Sequence, residues 1–252
     1  MLRSPQPNLR TTAARPRWPA VAALLVLLTA PVRAGAEILH FDVSVRGVPV
    51  GQFVLSGQEA GDGYAIEARL RTTGLVGVFV DAGYAGTAQG RVDDRTVTPY
   101  HARIDDRLGR NRGSARLSWQ DGVPSVTALA PSRPPLPSRA DPAGLAGSVD
   151  PLSALWSLGR LQSGTALCDR TLTVFDGRQA SRLTIDPPVD PGNGRITCAG
   201  EWRGIAGYDP DDQPGSAPRS FVLTYLPEPS GRARLAAIET QSRYGRAVLR
   251  RR

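Results

Sequence analysis

Leu39-His40-Phe41-Asp42-Val43-Ser44-Val45, then Arg46-Gly47-Val48-Pro49, then Val50 to Leu55, reads as strand, turn and returning strand. Leu39, Phe41, Val43 and Val45 alternate with His40, Asp42 and Ser44. A period of two puts every apolar side chain on one face, which is the signature of a half-buried β-strand. The pattern continues outward. Tyr64, Ile66, Ala68 and Leu70 alternate with Ala65, Glu67, Arg69 and Arg71. Further strands are expected at Ala82–Val92, Val97–Asp105, Arg112–Gln120 and Val123–Ala130. Asp121-Gly122 joins the last two as a hairpin, because both turn positions need positive φ. Leu75 to Val80 is almost continuously apolar and fits either a buried strand or a short helix inside a curved sheet.

A proline-rich stretch follows. Pro131, Pro134, Pro135, Pro137 and Pro142 lack the amide hydrogen that a central strand must donate. Residues 131–149 are therefore expected as an extended connecting loop across the surface, joining two halves of one sheet. One helix is signalled after it. Asp150 suits an N-cap and Pro151 the first helical position, and Leu152, Leu155 and Trp156 share a face. Gly159 or Gly164 can end it. Strands are then expected at Thr171–Phe175, Gln179–Ile185, Arg195–Trp202, Ser220–Leu226, Arg234–Thr240 and Tyr244–Leu249, with Asp176-Gly177 read as a second hairpin turn of the same kind. The fold class expected is mainly β: a curved antiparallel sheet or barrel-like domain with one short helix near 150–160.

The N-terminal segment reads as an address. Arg3, Arg10, Arg15 and Arg17 precede an apolar run, Ala20 to Thr29, and a small-residue end, Ala34-Gly35-Ala36. That is the order of a secretory signal peptide. The expectation is a signal peptide over 1–36, cleaved after Ala36, and a single β-rich domain over 37–252. The apolar run is shorter than the roughly 20 residues a membrane helix needs, so no stable span is expected after processing. The expected location is a bacterial periplasm. The formal charge of +8 misleads, because Arg3, Arg10, Arg15, Arg17 and Arg33 belong to the leader. Without them the body carries about +3, which does not support nucleic-acid binding. Every positive side chain is arginine; the sequence contains no lysine.

Cys168 and Cys198 are the only cysteines. An even count in an exported chain points to a disulfide. A metal or redox pair is the alternative, but there is no C-x-x-C spacing and no histidine nearby.

Catalytic groups are sparse. His40 and His101 are the only histidines, about 60 positions apart on separate expected strands. Ser153 lacks the flanking glycines of a nucleophile elbow and is read, with Asp150, as helix-start chemistry. No metal or cofactor is called for: the pairs Asp93-Asp94, Asp105-Asp106 and Asp211-Asp212 fit no calcium-loop spacing. Arg107, Arg110 and Arg112, with Arg103 and Arg116 beyond, form a basic cluster that suits either a polar hairpin tip or anionic headgroups.

The chain also resembles a family of exported Gram-negative proteins, the domain-of-unknown-function 3108 family. The resemblance is carried by Phe41-Asp42-Val43 with Val50-Gly51, Thr73-Gly74-Leu75, Pro99-Tyr100, Asp150-Pro151-Leu152-Ser153-Ala154-Leu155, Val174-Phe175-Asp176-Gly177 and Thr197 to Gly200. It implies an envelope location and a curved or barrel-like sheet, and brings no catalytic residues. The leading expectation for function is a non-enzymatic envelope protein that binds a lipid, or an apolar segment of another envelope protein, in a concave sheet. Phe41, Phe53, Leu75, Val78, Phe79, Trp119 and Trp156 are the candidate apolar face, and Arg107, Arg110 and Arg112 the candidate headgroup contacts. The alternatives are a structural or assembly factor with no small ligand, partnered by another envelope protein, and, third, a hydrolase.

Overall fold

The structure is a computed structural model. It describes residues 35–73, 83–93, 95–107, 113–131, 140–163, 167–190, 192–208, 218–242 and 244–252. Residues 1–34 of the expected leader, the segment with Leu75, Val78 and Phe79, and Arg110 and Arg112 lie outside the described residues.

Among the described residues, fourteen strands form one antiparallel sheet: β1 (Gly35–Val45), β2 (Val48–Ala60), β3 (Gly63–Thr72), β4 (Gly83–Val92), β5 (Val97–Asp106), β6 (Gly113–Gln120), β7 (Val123–Ala130), β8 (Gln162–Ser163), β9 (Arg170–Phe175), β10 (Ala180–Ile185), β11 (Ile196–Ala206), β12 (Arg219–Pro227), β13 (Arg232–Ser242) and β14 (Gly245–Arg251). Among the described residues one α-helix, α1, covers Pro151–Gly159. The strand order is β7-β6-β5-β4-β3-β2-β1-β14-β13-β12-β11-β10-β9, with β8 paired to β13 off the path. The first and last strands therefore pair at the centre, β1 with β14 (Phe41 opposite Arg251). β7 and β9 are the two ends of an unclosed sheet.

The alternation in the sequence becomes two faces. Phe53 and Leu55 of β2, Tyr64, Ile66 and Ala68 of β3, Ala88 of β4, Ile104 of β5 and Leu117 and Trp119 of β6 are buried. They pack around α1, whose Leu152 and Trp156 are each 1% exposed. Two glycines make room. A Cβ on Gly57 would stand 2.3 Å from the Trp156 ring, and one on Gly86 2.8 Å from Leu152. Both distances are impossible for real side chains, so the helix reaches the sheet only where strand side chains are missing.

A short segment fills the seam between the ends of the sheet. Asp141 caps a 3-10 turn at Pro142–Gly144, and the chain then runs inward. Gly147 donates its N–H to Gly122 O (2.8 Å), beside β7. Val149 pairs in parallel with Val174 of β9, through Val149 N–H to Thr173 O (2.9 Å) and Phe175 N–H to Val149 O (2.8 Å). The Arg178 side chain, at the tip of the β9–β10 hairpin, reaches across to Ala130 O at 2.7 Å.

Several expectations need correction. The second part of the connecting loop does not lie across the surface: Ala140, Leu145, Ser148 and Val149 are buried. The prolines crowd its first part, and Leu145 and Val149 find a core the sheet ends leave open. The first turn is Arg46-Gly47 alone, with φ of 51° and 80°. Asp121-Gly122 has the same signs, 51° and 77°. Asp176-Gly177 does not, since only Gly177 has positive φ (92°). There the carboxylate of Asp176 accepts the N–H groups of Arg178 and Gln179, both at 2.7 Å, and builds a longer loop. Cys168 precedes β9 and bonds to Cys198 of β11, with Cα atoms 5.9 Å apart.

Candidate functional site

A short helix buried inside a sheet must satisfy its own end groups, since no water is at hand for them. At the N-terminus, Asp150 Oδ1 accepts the N–H of Leu152 (2.9 Å) and of Ser153 (3.0 Å). The Ser153 hydroxyl donates to Asp150 Oδ2. With that proton committed, the hydroxyl of Tyr64, 2.6 Å from Ser153 Oγ, is the donor to it. Burial pushes the Asp150 carboxyl up to about 6, against the pull of these hydrogen bonds. Burial also raises Tyr64 well above its ordinary value, so it stays protonated. At the C-terminus, Leu158 O accepts from the Tyr225 hydroxyl (3.0 Å) and from the Gln162 amide (3.3 Å). Ser157 O accepts from Arg170 at 2.7 Å. Trp156 Nε1–H donates to Glu59 at 2.9 Å.

Asp150 and Ser153 together cap the start of α1. Ser153 is fully buried, its proton held by Asp150 and its lone pair by Tyr64, an arrangement that orients a helix rather than a nucleophile. Tyr64 belongs to this cluster without having stood out in the sequence, because its partner is 89 positions away. The apolar candidates divide. Phe41, Phe53, Trp119 and Trp156 come together in the core around α1, at 1%, 6%, 8% and 1% exposure. Trp119 is fixed there by its indole N–H on Ser148 O, 2.8 Å. Of the basic cluster, Arg107 is exposed at the end of β5. His40 and His101 are exposed on β1 and β5.

Among the described residues, cavities open against the strands of the first half of the sheet, two of which bear on the site. The smaller, about 110 Å³, sits between β4–β6, Pro151 and the β9–β10 turn. The buried hydroxyl of Tyr84, which lines it, has no protein partner. The larger, about 650 Å³, is a groove over the outward side of β1–β7. Strand register arranges its side chains in two rows. Ser56, Glu67, Thr87, Arg103 and Arg116 stand opposite one another on successive strands. Gln58, Ala65, Gln89, His101 and Ser118 form the neighbouring row. The groove is lined by both polar and apolar residues, with two arginines and a histidine at one end. No group of three or more His, Cys, Asp or Glu side chains that could hold a metal ion occurs among the described residues.

Sheet, seam and buried helix together define a mainly β, barrel-like domain with a filled interior. Residues 40–189 match the family described as "Protein of unknown function (DUF3108)", and the chain belongs to that family. Among solved structures, it is similar to a β-barrel-like protein of domain of unknown function DUF1849 from Brucella abortus. The match has 12% identity and a TM-score of 0.48, over 88% of this chain and 97% of that one. No curated protein matches the sequence. Among the described residues, no helix is long and apolar enough to cross a membrane.

Proposed function

We propose that this is an exported, periplasmic component of the cell envelope that acts without catalysis, as a rigid scaffold working through its outer surface. The leader's order of basic, apolar and small residues supports export, and the Cys168–Cys198 bond is compatible with an oxidising compartment. One observation carries the choice between scaffold and internal carrier: the concave face is occupied by the chain's own helix. Trp156, Leu152, Phe41 and Leu39 are each at most 1% exposed. Interiors are close-packed, so an acyl chain could enter only by displacing α1. Displacement would strand the helix's polar ends, whose hydrogen bonds hold it in place. Among the two non-enzymatic readings of the sequence, this favours the assembly factor over the lipid carrier. Native mass spectrometry of protein purified from its own envelope, with lipid extraction, tests the choice. The expected result is the bare processed chain; a stoichiometric lipid inside the folded protein would reverse it.

A further inference from the structure

The groove sets two like charges side by side on adjacent strands. Arg103 of β5 and Arg116 of β6 are direct cross-strand partners, and both side chains face outward and are exposed. Directly opposed side chains on one face have Cβ atoms only about 4.5–5.5 Å apart, and like charges so placed repel. The neighbouring acids do not cancel the pair. Asp105 holds one side of Arg103 (Nε to Oδ2, 3.2 Å), and Glu67 is taken by Arg69 at 2.6 Å. Arg116 has no carboxylate partner among the described residues. His101 stands one row along on β5 and Thr87 directly opposite Arg103. The floor beyond is low, made by Ser56 and Ala65.

We propose that Arg103 and Arg116, with His101 and Thr87 beside them, form a binding site for a phosphate group. Guanidinium forks carried on adjacent strands suit the oxygens of a phosphate, which accepts several charge-assisted hydrogen bonds at once. A dianion between the arginines turns their repulsion into attraction. The phosphate comes either from a lipid headgroup at the membrane surface or from a soluble phosphate ester. The inference rests on the reading that the protein works through its outer surface. A lipid-free interior would leave that reading standing even if phosphate failed to bind.

The experiment compares thermal unfolding in inorganic phosphate and in chloride of matched ionic strength. A ligand that binds only the folded state raises the midpoint with its concentration. The wild type is expected to show a phosphate-specific rise. Arg116→Gln is expected to unfold at a higher temperature than wild type in chloride at low salt, since the repulsion is gone. It is also expected to lose at least about tenfold in apparent phosphate affinity. Arg182→Gln is the control. It removes the same charge from another directly opposed pair, Arg182 and Arg203, outside the groove, and should keep the wild-type phosphate response. No phosphate-specific rise in the wild type, or a rise that survives in Arg116→Gln, overturns the site. Co-sedimentation with phosphatidylcholine vesicles containing phosphatidic acid, absent without that lipid and lost in Arg116→Gln, assigns the lipid source. A phosphate response without co-sedimentation assigns the soluble ester.

Discussion

Asp150 is a fully buried carboxylate, held by three donors from one turn of helix. Its partners keep the charge bearable but do not restore what hydration supplies, so its carboxyl is raised from 3.8 to about 6. The consequence for stability has a definite sign. Between about pH 4 and pH 6 the unfolded chain has released this proton and the folded chain still holds it. Stability therefore falls as pH rises through that window, by about 3 kcal/mol for a shift of this size. Asp176, raised by burial at the seam, acts in the same direction. Asp93, held low by its hydrogen bonds to Thr96, acts in the opposite sense only below pH 4. Urea unfolding from about pH 4 to pH 7 should show the decline, and Asp150→Asn should remove most of it. An unchanged pH dependence in that variant would mean that Asp150 titrates as an ordinary carboxyl.

The helix and the strands beneath it were chosen together. Trp156 lies on Gly57, and nothing larger fits. Gly57→Ala is expected to destabilise the fold by about 1–3 kcal/mol through overpacking, and Trp156→Ala by about 3–5 kcal/mol through the cavity it leaves. The two are coupled: in a Trp156→Leu background the cost of Gly57→Ala should largely vanish. Additive costs in denaturant melts would show that the two residues do not share one space. The sequence displays one side of this arrangement only. Alternation marks β1 to β7, and Asp150-Pro151 marks the helix, because both signals are local. That Gly57 sits under Trp156 is not local. Nor is the opposition of Arg103 and Arg116, since cross-strand neighbours depend on register and a one-residue slip would part them. Asp121-Gly122 and Asp176-Gly177 are equally instructive. At Asp121 the backbone itself makes the tight turn, whereas at Asp176 the side chain makes a wider one, and the dipeptide alone does not tell which. The filled interior was also out of reach, because a buried apolar row looks the same whether it faces a ligand or the chain's own helix.

On the scale of the whole molecule, the sheet is held shut rather than closed. Its last strand, β9, is stapled near its start by Cys168–Cys198 to β11, two strands away. Closing a loop of 30 residues is worth about 3–4 kcal/mol in the chain-entropy view. Thiol labelling of the denatured, unreduced protein should find neither cysteine free; full labelling of both would remove the staple from this account. The other side of β9 depends on residues 147–150, the bridge from the β6–β7 turn. An edge strand left bare exposes a row of unpaired backbone groups, and this bridge covers part of it with two hydrogen bonds, from Val149 to Thr173 and from Phe175 to Val149. Val149→Pro deletes the first and disturbs the second. The expected cost is roughly 3 kcal/mol, and the damage should be local. Hydrogen exchange should show the Phe175 amide losing protection while amides of β2 and β3, at the middle of the sheet's first half, keep theirs. Equal loss across the sheet would show that the seam and the sheet unfold as one unit. Unchanged protection at Phe175 would show that the bridge does not hold the edge at all.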